Sequence, residues 1–186
     1  MEEGTERFLE AVDDRDFGAP SRLPGWSVAH VVAHVHYNAQ ALTRLARWAA
    51  TGVESRMYDS PRQRAAEIET GARLPARTLR ELVRSSAVEL EAALASLSDE
   101  NWRAEVVTAQ GRTVPATEIP WLRVREVVVH TVDLDERHTF DVFPEPLVEA
   151  LVSSAVRNRL TRGEGPVLAL LLTGRATGDV PLPPWL

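Results

Sequence analysis

The chain contains no cysteine. Disulfides, thiolate metal ligands and cysteine nucleophiles are therefore excluded, and any sulfur chemistry must use a thiol from outside. Lysine is missing too: all 21 basic residues are arginine, which excludes a Schiff-base mechanism. Positive charge is in deficit, with 27 acidic residues, a net charge of −6 and a pI near 5.4. That balance argues against a nucleic-acid partner. Long apolar runs are absent as well. The longest, Val167 to Leu172, falls far short of the roughly 20 residues of a membrane-spanning helix. The start, Met1-Glu2-Glu3-Gly4, is acidic with no apolar stretch behind it, so no secretory signal is expected. What is present is globular in composition, 44% hydrophobic and 26% charged over 186 residues. The expectation is a soluble, cytoplasmic protein of one domain plus an appendage.

The pattern is mainly helical. A short helix is predicted over Glu6–Val12, then a polar loop from Asp13 to Gly25. Ser27 suits an N-cap, and apolar residues at three- and four-residue spacing predict a long helix from Val28 to about Ala50, closed by Gly52. Ser60-Pro61 opens a shorter helix to about Glu69, and Pro75 opens a long one to Leu97. Val106–Thr108 and Arg112–Val114 flank Ala109-Gln110-Gly111 as a hairpin. Pro120 starts another long helix, Trp121 to about Asp135. Beyond it, Phe140–Pro146 reads as loop, Leu147–Leu160 as helix, Val167–Leu172 as short helix or strand, and Thr173–Leu186 as irregular tail. Four sufficiently long helices predict a bundle over residues 1–139, with 140–186 as a C-terminal appendage.

Candidate chemistry concentrates on five histidines. His30 and His34 are four apart and share a helix face, while His36 points about 200° from His34. Glu126 and His130 are also four apart, and with Asp133 they line one stripe of a valine-rich segment. A carboxylate and an imidazole at that spacing can chelate one cation. A further imidazole from a facing helix, His34 or His30, would complete a two-histidine, one-carboxylate set with an open position, the arrangement of a catalytic zinc site. Asp133 would then orient an imidazole. Such pairs are also common as simple surface pairs. No nucleophile elbow, phosphate loop or dinucleotide fingerprint is present.

The run Leu23-Pro24-Gly25-Trp26-Ser27-Val28-Ala29-His30-Val31-Val32-Ala33-His34 resembles the first ligand helix of the DinB-like superfamily, specifically the mycothiol-dependent maleylpyruvate isomerases. So does Arg125-Glu126-Val127-Val128-Val129-His130-Thr131-Val132-Asp133-Leu134. His36-Tyr37-Asn38-Ala39, Trp48–Gly52, Met57-Tyr58, Ser60-Pro61 and Thr108–Ala116 look like the isomerases in particular, and the resemblance runs from about residue 8 to 150. It implies a DinB-like four-helix bundle holding zinc through His34, Glu126 and His130. It further implies mycothiol as an external thiol, a dicarboxylate substrate, and conversion of maleylpyruvate to fumarylpyruvate in gentisate-type aromatic degradation. Arg64 and Arg175 match the two arginines implicated in that active site. The family carries a longer C-terminal α/β domain. Only Phe140 to Leu186 is available for it here, so a shortened α/β or irregular appendage is expected, with Gly165–Arg175 and Val180–Leu186 resembling its last helix and tail. A mycothiol S-transferase acting on another electrophile, or a non-catalytic metal-binding bundle, are the other functions this pattern allows. The exposed helix faces specify no oligomeric state.

Overall fold

The computed structural model describes residues 1–176. It divides into two compact units, Met1–Thr139 and Phe140–Leu186.

In the first unit, α1 (Glu2–Asp13), α2 (Val28–Thr51), α4 (Ala76–Ala95) and α5 (Ile119–Asp133) form the bundle, and α3 (Pro61–Gly71) lies against α2. α2 packs on α4 and α5, and α1 closes the ring by packing on the same two helices. α2 is therefore the central rod, and its Val31, Val32, Val35, Leu42 and Leu45 are fully buried. α1 begins earlier than its apolar pattern suggests. Glu2 and Glu3 occupy its first turn, where the helix dipole favours acidic groups.

The helix ends follow from local chemistry. Gly52, at φ +73°, stops α2 in the left-handed conformation that only glycine adopts cheaply. The Ser60 side chain accepts from the Gln63 amide, and Pro61 occupies the first turn of α3. The first amides of α2 are taken by the preceding loop: Val28 N–H donates to the Ala19 carbonyl and Ala29 N–H to that of Phe17. The loop also ties to the far end of α5, where Arg22 N–H donates to the Asp133 carbonyl and Arg15 pairs with Asp135.

Between α4 and α5, β1 (Glu105–Val107) pairs antiparallel with β2 (Thr113–Pro115), placing Val106 opposite Val114. Both valines enter a core cluster with Leu42, Leu45, Leu90, Ile119 and Leu122. Among the described residues of the second unit there are two α-helices, α6 (Glu145–Thr161) and α7 (Gly165–Leu172), after a 3-10 turn at Phe140–Val142. The apolar run from Val167 is thus helix, nucleated by Gly165-Pro166 at its start. The segment Val180–Leu186, expected to resemble the family's tail, lies outside the described residues. Among the described residues no helix is long and apolar enough to cross a membrane.

α3 approaches α2 closely because Gly71 has no side chain. A Cβ there would lie 2.9 Å from both Ala33 Cβ and a Tyr37 ring carbon. Gly71→Ala is expected to lower stability by about 1–3 kcal/mol through overpacking, read by chemical denaturation.

Candidate metal centre

α2 and α5 face each other along a buried seam. The periodicity of α2 turns His34 inward, 3% exposed, while one turn separates Glu126 from His130 on α5. His34 Nε2 lies 2.8 Å from Glu126 Oε2, and His130 Nε2 lies 3.5 Å from the same oxygen. The two imidazoles meet edge to face, with ring centroids 4.6 Å apart. One ligand atom from each of these residues falls within 4.8 Å of the others. A tetrahedral ion about 2.0–2.1 Å from each donor needs donor atoms about 3.3 Å apart. The observed separations bracket that value, so the donor set and its spacing fit a divalent cation.

The surroundings hold the rings in place. Asp133 Oδ2 accepts from His130 Nδ1 at 2.8 Å, fixing that ring with Nε2 toward Glu126. Arg64, on α3, reaches His34 Nδ1 at 3.2 Å. A guanidinium can only donate, so Nδ1 accepts and the ring proton sits on Nε2, donating to Glu126. Trp26 covers the outer side, 5.8 Å from the His34 ring and 6.1 Å from that of His30.

Electrostatics separate the two imidazoles. Burial lowers His34 to about 4; the bond to Glu126 opposes this without overcoming it, and the His130 and Arg64 charges reinforce the fall. Burial also disfavours charged His130, but hydrogen bonds to Asp133 and Glu126, with their negative charges, outweigh it and raise the group to about 9. Glu126 is held well below the usual carboxylate range, since bonds and charges from both histidines outweigh its burial.

Of the expected residues, the structure brings together His34, Glu126, His130 and Arg64, with Asp133 behind them. His30 is turned to another task. Its Nδ1 accepts from Ser27 N–H at 3.2 Å and bonds Ser27 Oγ at 2.8 Å, capping α2. His36 points away, bonded to the Leu82 carbonyl and Ser86 Oγ on α4. Arg175 lies in the second unit, just after α7, and bonds the Thr173 carbonyl.

Two neighbours were not singled out for this role from the sequence. Tyr58 has Arg44 and Arg64 guanidinium carbons 5.9 and 6.0 Å from its ring centroid, and burial raises its hydroxyl to about 12. It also lines an open cleft with Arg44, Met57 and Gln63. Arg123, one turn before Glu126, is 1% exposed. The available signal for it was an arginine three residues from the ligand pair, inside an otherwise apolar stripe.

In protein stripped of metal by chelation, Asp133→Asn removes one of the two negative charges that oppose burial at His130. The His130 titration is expected to move down from about 9, read by imidazole NMR.

Comparison with known proteins places this geometry in context. The model of the mycothiol maleylpyruvate isomerase N-terminal domain matches residues 2–135. A solved structure described as the mycothiol-dependent maleylpyruvate isomerase is 43% identical and superposes with a TM-score of 0.80, covering 83% of this chain and 65% of that one. A histidine-to-alanine mutant of such an isomerase gives 42% identity and 0.79 over the same shares. The chain thus spans 65% of the length of these relatives. No curated protein matches it. With more than half its length matched by that model, the chain belongs to the mycothiol maleylpyruvate isomerase N-terminal domain family.

Proposed function

We propose that the chain is a zinc- and mycothiol-dependent cis-trans isomerase converting maleylpyruvate to fumarylpyruvate. The observation that carries this reading is the convergence of His34, Glu126 and His130, three protein donors from two helices, with Arg64 at their edge. Residues 1–139 act as the metal-binding bundle, and 140–186 correspond to the end of the relatives' C-terminal domain. The cytoplasm, where small thiols stay reduced, is the compartment this chemistry suits.

His34, Glu126 and His130 are the ligands in this reading, and three protein ligands leave an open position. Zinc bound there would lower the pKa of an added thiol, supplying a thiolate at neutral pH. The chain has no cysteine of its own to compete for that role. The thiolate adds to the cis double bond beside a carbonyl and the electron pair moves onto the carbonyl oxygen as an enolate; the former double bond, now single, rotates, and collapse of the enolate expels the thiolate and leaves the trans isomer. Arg64 binds a substrate carboxylate through its planar fork and stabilises the developing enolate. Were Nε2 of His34 to serve as the donor atom, the ring proton would sit on Nδ1, and Arg64 would be free to bind substrate. Asp133 keeps the His130 ring oriented. Arg175 is the second arginine that the resemblance implies for the reaction.

Metal analysis is expected to find about one zinc per chain, with His34→Ala abolishing both metal and isomerisation. Product analysis separates the remaining functions. Fumarylpyruvate formed only when mycothiol is present supports the isomerase. A stable thiol adduct would instead indicate an S-transferase, and a metal with no exchangeable position a non-catalytic bundle. Asp133→Asn is expected to weaken zinc binding about 10–100-fold, read by competition with a chelating dye.

A further inference from the structure

One fully buried charged side chain of the bundle is not used by this reading. Arg123 is fully buried between α5 and α2. Its Nη1 donates to the Val35 carbonyl at 2.8 Å and to Asn38 Oδ1 at 3.1 Å. Its Nε and Nη2 have no hydrogen-bond partner among the described residues. Burying a guanidinium with unspent donors is unfavourable, and an apolar residue of similar length would ordinarily be as stable or more so. Stability therefore does not explain its presence. Its position does suggest a role. It stands one helical turn before Glu126, it grips the residue next to His34, and after the opposing effect of burial Glu126 is the leading charge that favours its charged form.

The charges around the centre can be followed one by one. Arg64 reaches the His34 edge of the centre and Asp133 lies on His130, one cation against one anion at its border. The Arg123 guanidinium sets a further positive charge one helical turn before Glu126. A divalent ion held by the centre would then keep its charge uncancelled, and a ligand entering the open position would meet a strongly positive, poorly solvated site.

We propose that Arg123 is an electrostatic selectivity residue, making the centre formed by His34, Glu126 and His130 prefer an anionic ligand over a neutral one. This rests on the metal-centre reading above and extends it to the class of ligand accepted. Arg123 acts through the field at the open position and not by ligating the ion.

The experiment uses the full chain loaded with cobalt(II), whose visible spectrum reports coordination. Thiocyanate serves as the anionic probe and imidazole as the neutral one. For Arg123→Met, the Kd for thiocyanate is expected to rise about tenfold while the Kd for imidazole stays unchanged and cobalt uptake is undiminished. Arg123→Lys, which restores the charge without the fork, is expected to recover thiocyanate binding. Arg123→Gln, which keeps a donor for the Val35 carbonyl, serves as the second charge-free variant should the methionine variant not fold. The proposal is overturned if both probes weaken together, if neither moves, or if lysine fails to restore the preference. Wild-type protein that takes up no cobalt would overturn the metal reading itself. Wild-type protein that binds cobalt, with charge-free variants that keep their thiocyanate affinity, would overturn only the role of Arg123.

Discussion

The bundle depends on one carboxylate shared by two imidazoles. Glu126 belongs to α5 and His34 to α2, and the packing of the two helices brings them within 2.8 Å. Asp133 fixes the second imidazole from behind, and Arg64 restrains the first from the side. Buried groups of this kind are costly when unpaired, so the seam tolerates little displacement before its polar atoms lose their partners.

The sequence carried the fold further than the site. Capping residues and proline positions placed α2, α3 and α5 to within a turn, because these signals are local. The all-apolar run from Val167 was ambiguous, since periodicity cannot distinguish a short buried strand from a helix. The Glu126 and His130 pair was legible from spacing alone. The third donor was not, because His30 and His34 occupy the same face of α2. What separates them is the capping bond of His30 to Ser27, a feature of the helix start that face periodicity does not weigh.

Arg64 and Arg123 show a different limit. Arg64 meets His34 across thirty positions of sequence, through the packing of α3 on α2 that Gly71 permits. Without the resemblance, nothing distinguished it from twenty other arginines. Arg123 sits where an apolar residue would satisfy the helical pattern. Local rules describe what stabilises an element, and they fail where a residue is kept at a cost to stability.

The loop between α1 and α2 has a consequence for chain engineering. It donates none of the three converging ligand atoms, yet it receives the opening amides of α2 and donates Arg22 N–H to the carbonyl of Asp133. It is therefore a brace joining the start of one ligand-bearing rod to the end of the other. A graft, cleavage or permutation point placed there would disturb the spacing of the centre from outside. The hairpin tip at Gly111 carries no such tie between the two rods and is the better place to open the chain.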